Sequence, residues 1–118
     1  MKKNLALTGM MGVGKSTLGK ALSEQLLMQF SDIDKIIENK LKMSIQNIFD
    51  NKGETFFRKH EEKITLEEFK KKNIIISLGG GAFMNSKIRK IALTSSETFW
   101  LDLDLKLLTK RLVKSKKR

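Results

Sequence analysis

Gly9-Met10-Met11-Gly12-Val13-Gly14-Lys15-Ser16 fits the pattern G-x-x-x-x-G-K-[ST] at every position, with an apolar run before it and helical spacing after it. The glycines let the backbone curl so that successive N–H groups face phosphate oxygens, beside a helix N-terminus carrying partial positive charge. A lysine at the place of Lys15 reaches terminal phosphates as a mobile cation, and a hydroxyl at the place of Ser16 serves Mg2+. The stretch therefore predicts a nucleoside-triphosphate site.

Such a loop needs a second carboxylate for the metal. Asp32 and Asp34 sit two apart, so on an extended segment they share a face and can serve one site. The plainer alternative is a pair of helix-capping or turn acids. Asp102, after Phe99-Trp100-Leu101, competes for the metal role, and spacing alone leaves Asp32 and Asp102 even. Arg58, in the charged stretch Phe56 to Glu62, reads by itself as a solvated helix arginine, and His60 as an exposed surface histidine. Lys70-Lys71-Lys72 suits a solvated helix C-terminus, which the helix dipole favours. Phe99 and Trp100 read as core.

These residues need a scaffold that brings them together. Asn4 to Thr8 reads as a short buried strand closed by Gly9, and Leu18, Ala21, Leu22 and Leu26 recur at helical spacing between Lys15 and about Met28. Phe30 to Ile33 is a short extended piece, and Asp34 is a candidate N-cap for a helix through Ile36, Ile37 and Leu41. Ser44 predicts the cap of a short helix ended by Gly53, followed by a long charged helix from about Glu54 to Lys72. Ile74 to Leu78 is a β-branched run suited to a strand buried on both faces, stopped by Gly79-Gly80-Gly81. A helix over Ser86 to Leu93, a strand over Thr98 to Leu103 and a last helix from near Leu105, with Leu108 and Leu112 on one side, complete the reading. Alternating strands and helices predict a parallel α/β sheet covered on both faces. Ligands bind at the carboxyl ends of such strands, so the glycines at 9–14, the acids at 32 and 34 and the triple glycine should converge.

Composition narrows the class. The 118 residues suit one domain, and the absence of Cys excludes a disulfide framework and a thiolate zinc site. One His removes every His-pair metal motif, and no apolar run approaches the ~20 residues of a membrane span. Lys2-Lys3 before Leu5-Ala6-Leu7 resembles a signal-peptide start, but Gly9, Gly12, Gly14 and Lys15 break the run. A soluble, cytoplasmic protein is expected. Of the net charge of +11, residues 106–118 carry +7 without one acid, which fits a nucleic-acid or membrane tail, a solvated helix end or a segment that meets phosphate. Proline is absent, in keeping with a Lys/Ile/Asn-rich bias or with prolines in a part outside this chain.

With these pieces in order, the chain resembles shikimate kinase from residue 4 to 118. The resemblance rests on Gly9–Thr17, on Phe30-Ser31-Asp32-Ile33-Asp34 with Ile37-Glu38, and on Ser44-Ile45 with Ile48-Phe49. It continues through Gly53-Glu54, Phe57-Arg58 and Glu61, then Gly79-Gly80-Gly81-Ala82, and ends with Leu101, Leu108 and Arg111-Leu112. It implies a three-layer α/β/α P-loop kinase fold like that of the nucleoside-monophosphate kinases, and ATP-dependent phosphorylation of the shikimate 3-hydroxyl in aromatic amino-acid synthesis. It implies ATP contacts from Gly12, Val13, Gly14, Lys15, Ser16 and Thr17, with Arg111 near the adenine and Arg118 as a lid arginine. Lys15 and Asp34 become the catalytic pair, and Asp34, Arg58, Gly79, Gly80 and Gly81 the shikimate contacts. Ser16 and Asp32 become the Mg2+ residues, which leaves Asp102 structural.

Two departures stand out. Leu27-Met28-Gln29 replaces the usual Gly-x-Pro before the second strand, and family members continue well past residue 118 through the rest of the lid, a second shikimate arginine, a last strand and a helix. The expectation is a single kinase domain over 1–118 without its C-terminal part, monomeric, with ATP and shikimate as partners and neither nucleic acid nor membrane. A gluconate-kinase-like enzyme and a non-catalytic ATP-binding fragment are the alternatives.

Overall fold

The computed structural model describes residues 4–8 and 13–100, with the side chains of 13–16 and of 100 outside the described set. Four strands, β1 (Asn4–Thr8), β2 (Gln29–Asp32), β3 (Ile74–Ser77) and β4 (Ser96–Trp100), form one sheet in the order β2-β3-β1-β4. Every pairing is parallel, with Leu5 opposite Ile75, Asp32 opposite Ser77 and Thr8 opposite Trp100. Between them run α1 (Val13–Leu26), α2 (Ile33–Leu41), α3 (Ile45–Lys52), α4 (Glu54–Glu68) and α5 (Ser86–Ser95).

The strand sequences dictate the layers. Along β3 the side chains alternate between two apolar clusters. Ile74, Ile76 and the following Leu78 join Ile37, Ile48, Phe57, Ile64 and Ile88 on the α2–α5 side, while Ile75 meets Leu7, Leu18 and Met28 on the α1 side. A strand buried on both faces has no polar side to show, which is why it reads as an unbroken β-branched run. Gly19 is what lets α1 approach the sheet, because the Phe30 ring of β2 occupies the space a Cβ would take.

The helix ends follow local chemistry. Ser44 caps α3 by accepting from the Asn47 N–H at 3.1 Å, and Gly53 closes that helix and opens α4 with φ 89°, a conformation suited to glycine. Asn85 caps α5 by accepting from the N–H groups of Lys87 and Ile88 at 2.8 and 3.1 Å.

Several expectations shift. The cap of α2 is Asp32, whose Oδ1 accepts from the Lys35 N–H, and Asp34 lies in the first turn. β2 starts and ends one residue earlier than expected, so the two acids do not share an extended face. α4 stops at Glu68, because Phe69 turns into the core and Asn73 takes φ 58° to deliver the chain to β3. Lys70–Lys72 therefore lie beyond the helix, where Lys71 pairs with Glu68 at 2.9 Å. β3 closes at Ser77, α5 extends to Ser95, and β4 begins at Ser96 rather than Thr98. Phe99 is 46% exposed, since β4 is the outer strand of the described sheet and its free side has no covering layer among the described residues. The expected last helix from Leu105 lies outside the described residues.

Candidate active site

Register brings the acids to the triple glycine. With Asp32 opposite Ser77, β2 and β3 leave the sheet side by side, and Asp34 and Gly79 each follow two residues later. A Cβ on Gly79 would stand 2.6 Å from Asp34 Oδ1 and 3.2 Å from Glu61 Oε2. No side chain larger than hydrogen fits between these carboxylates without displacing one. Asp34 Oδ1 is buried, and Glu61 is 1% exposed.

α4 supplies the positive group. Arg58 Nη1 donates to Glu61 Oε1 at 2.9 Å, one turn along the helix, and Nε reaches Glu54 Oε2 at 3.4 Å, one turn back. The guanidinium carbon lies 5.2 Å from the Phe57 ring centre and 6.0 Å from that of Phe49, so aromatic faces flank its stem. Burial works against its charge, yet the hydrogen bond and charge of Glu61, then those of Glu54, outweigh it and hold the Arg58 pKa above its ordinary value. A Cβ on Gly81 would come within 2.5 Å of Arg58 Nη2. The guanidinium thus rests against bare backbone.

Asp34, Glu61, Arg58, Gly79 and Gly81 form one constellation at the carboxyl ends of β2 and β3. Gly80 is exposed between its two neighbours. A carboxylate at a strand end can hold a hydroxyl, and a braced guanidinium can receive a carboxylate on two parallel N–H bonds. The arrangement suits a small acid bearing hydroxyl groups.

Asp32 stands half-buried at the end of β2. Among the described residues no group of three His, Cys, Asp or Glu side chains forms a metal cage. Mg2+ asks for less, usually one or two carboxylates plus phosphates and water, and a hard oxygen donor at a strand end fits that habit. Val13 to Thr17 form the first turn of α1, directly after the glycine stretch. Gly9–Gly12, Arg111 and Arg118 lie outside the described residues, as do the side chains of Lys15 and Ser16 and the rival Asp102.

The site contains one residue to which sequence reasoning assigned no role. Glu61 was legible as half of an Arg-x-x-Glu pair, whose spacing stacks the two on one helix face. His60, expected on the surface, is half-buried, with its ring 4.4 Å from that of Phe56 and Nδ1 3.0 Å from the Phe56 carbonyl oxygen.

A sequence model of the family "Shikimate kinase" matches residues 11–118. The shikimate kinase of Sulfurihydrogenibium sp. (strain YO3AOP1) is 42% identical over 110 residues, covering 93% of this chain and 66% of that protein. That of Bacillus subtilis (strain 168) is 44% identical over 103 residues, covering 86% of this chain and 55% of the other. Among solved structures, shikimate kinase from Acinetobacter baumannii in complex with shikimate superposes with a TM-score of 0.83 at 32% identity, over 100% of this chain and 66% of that one. The enzyme from Aquifex aeolicus gives 0.79 at 34% identity, over 88% and 62%. The chain spans just under two thirds, or less, of the length of these relatives. The parallel sheet flanked by helices is the P-loop kinase fold of these structures, and the chain belongs to the shikimate kinase family.

Proposed function

We propose that this protein transfers the γ-phosphoryl group of ATP to the 3-hydroxyl of shikimate. The observation that carries the reading is the convergence of Asp34, Arg58 and Glu61 on the side-chain-free wall of Gly79 and Gly81. Shikimate is a ring carrying one carboxylate and three hydroxyls. Arg58 takes the carboxylate through its guanidinium fork, which Glu61 orients, and the glycines admit the ring close to backbone. Asp34 accepts the proton of the attacking hydroxyl. Lys15, at the head of α1, neutralises the terminal phosphates with the loop amides of Gly12 to Ser16 and with Thr17 beside them. Ser16 and Asp32 hold Mg2+, which when bound supplies further charge neutralisation on the phosphates. Arg111 and Arg118 complete the nucleotide side.

Phosphoryl transfer asks for alignment and charge neutralisation more than for covalent chemistry by the protein. A rigid wall on one side and a braced cation at the far end of the acceptor meet that need. The protein works as a soluble monomer on small molecules in the cytoplasm. The test is ADP release in a coupled assay with Mg2+ and ATP. Turnover is expected with shikimate and not with gluconate. Turnover with gluconate alone would mark a different sugar-acid kinase, and ATP binding by titration calorimetry without shikimate-dependent release would mark a non-catalytic nucleotide binder.

A further inference from the structure

The wall that carries Gly79 and Gly81 is fastened at both ends. At its start, the Leu78 N–H donates to the Leu7 carbonyl at 2.8 Å, and Leu78 is fully buried. Between the ends, a 3-10 turn over Ala82–Met84 makes the segment stiff: Ala82 N–H donates to Gly79, Met84 N–H to Gly81 and Asn85 N–H to Ala82, at 3.2, 3.1 and 3.0 Å. At its finish stands Asn85. Its side-chain oxygen caps α5, and its Nδ2 donates to Glu62 Oε1 on α4 at 2.9 Å. Arg89 Nη1 adds a bond to the Phe83 carbonyl at 2.9 Å.

α4 therefore presents two adjacent glutamates with different tasks. Glu61 points inward and braces Arg58, while Glu62 reaches sideways to the end of the glycine segment. The guanidinium and the wall it faces are thus referenced to the same turn of one helix. We propose that the Glu62–Asn85 bridge is a positioning clamp that sets the gap between Arg58 and Gly81, and so the fit of the acceptor's carboxylate end. The clamp rests on the reading of this site as the shikimate site. Neither residue touches the acceptor, so both act through the wall.

Asn85→Asp separates the clamp from the cap. The new side chain keeps an oxygen for the Lys87 and Ile88 N–H groups but sets a carboxylate against Glu62 where an amide donated. The shikimate KM is expected to rise roughly five- to tenfold. The ATP KM, kcat and melting temperature should stay near wild type. Amide hydrogen exchange at Ala82 and Met84 should quicken by about the same factor. Adding Glu62→Gln to that variant turns the acceptor into a donor facing the new carboxylate, and should restore both readouts. An unchanged shikimate KM, equal changes in the ATP and shikimate KM, or no recovery in the double variant would overturn the clamp. A wild-type protein without shikimate-dependent ADP release would sink the functional reading instead, and the exchange data would then decide the clamp on their own.

Discussion

Arg58 keeps its charge across any working pH, because Glu61 and Glu54 raise a pKa that already lies far above neutrality. A group whose folded pKa is raised contributes stability below its unfolded pKa and loses it only as pH rises through the folded one. For Arg58 that window lies beyond the alkaline limit of ordinary assays. Arg58→Lys changes the outcome, since a point charge replaces the fork and an ammonium, near 10.4 when unperturbed, titrates within reach of an alkaline assay even beside the same two glutamates. Shikimate affinity in that variant should fall about tenfold at pH 7.5 and decline further only as pH rises through about 10 and above, whereas the wild type should hold level. Gly81→Ala tests the same contact from the other side. The new methyl displaces the guanidinium, so the shikimate KM should rise roughly tenfold or more while the ATP KM stays put. Thr65 makes a separate point about stability. It is fully buried on α4, and its Oγ1 has no hydrogen-bond partner among the described residues, so Thr65→Val should stabilise the fold by about 1 kcal/mol in urea unfolding. Asp34 drew notice through its spacing from Asp32, whereas Arg58 took a role only through the family pattern. In isolation Arg58 resembles any helix arginine, because the groups that brace it become its neighbours only once α4 forms and β3 arrives beside β2.

The elements themselves were easier to read, for the reason that hydrophobic period survives without tertiary context. β1, the Ser44 cap and the Gly53 break stand where the sequence places them. Some of the boundaries that moved turn on left-handed backbone, which Asn73 signals only weakly and Leu27 not at all. Leu27 enters the left-handed region directly after α1 and ends it, whereas α4 ends at its cap Phe69, still right-handed and turned into the core, and Asn73 redirects the chain only afterwards. Leu27 has φ 55°, is 83% exposed, and precedes a Met28 N–H bonded back to the Ser23 carbonyl at 3.0 Å. That is the helix C-terminal geometry in which glycine is usual, and the replaced Gly-x-Pro would have supplied it. Leu27→Gly should therefore raise stability by roughly 0.5–1 kcal/mol, read as a higher urea midpoint at constant m-value. Gly19 shows the reverse constraint. In sequence it is merely a poor helix former, and only the packed Phe30 ring explains it.

Across the whole molecule, a net charge of +11 on 118 residues opposes compactness by self-repulsion. Raising NaCl from 10 to about 200 mM should lift the melting temperature by a few degrees, since the Debye length shortens from about 30 Å to less than 10 Å. The Arg58–Glu61 pair, with its carboxylate buried and its guanidinium half-buried, is screened less than surface charges, so shikimate affinity should change less than the melting temperature over that range. No helix among the described residues is long and apolar enough to cross a membrane. The sheet order was not legible, because adjacency in a parallel sheet is decided by crossovers rather than by any strand's own residues. That order carries a consequence for how the chain is made. β1 is synthesised before the other described strands yet among them pairs with β3 and β4, so Leu5 and Leu7 have none of these strands beside them until residues 74–77 exist. At roughly 5–20 residues per second, the nascent chain spends several seconds with its central strand uncovered. Such long-range pairing makes folding slow and exposes an apolar stretch to association. The first strand of the sheet is thus a natural place for a chaperone to hold the growing chain.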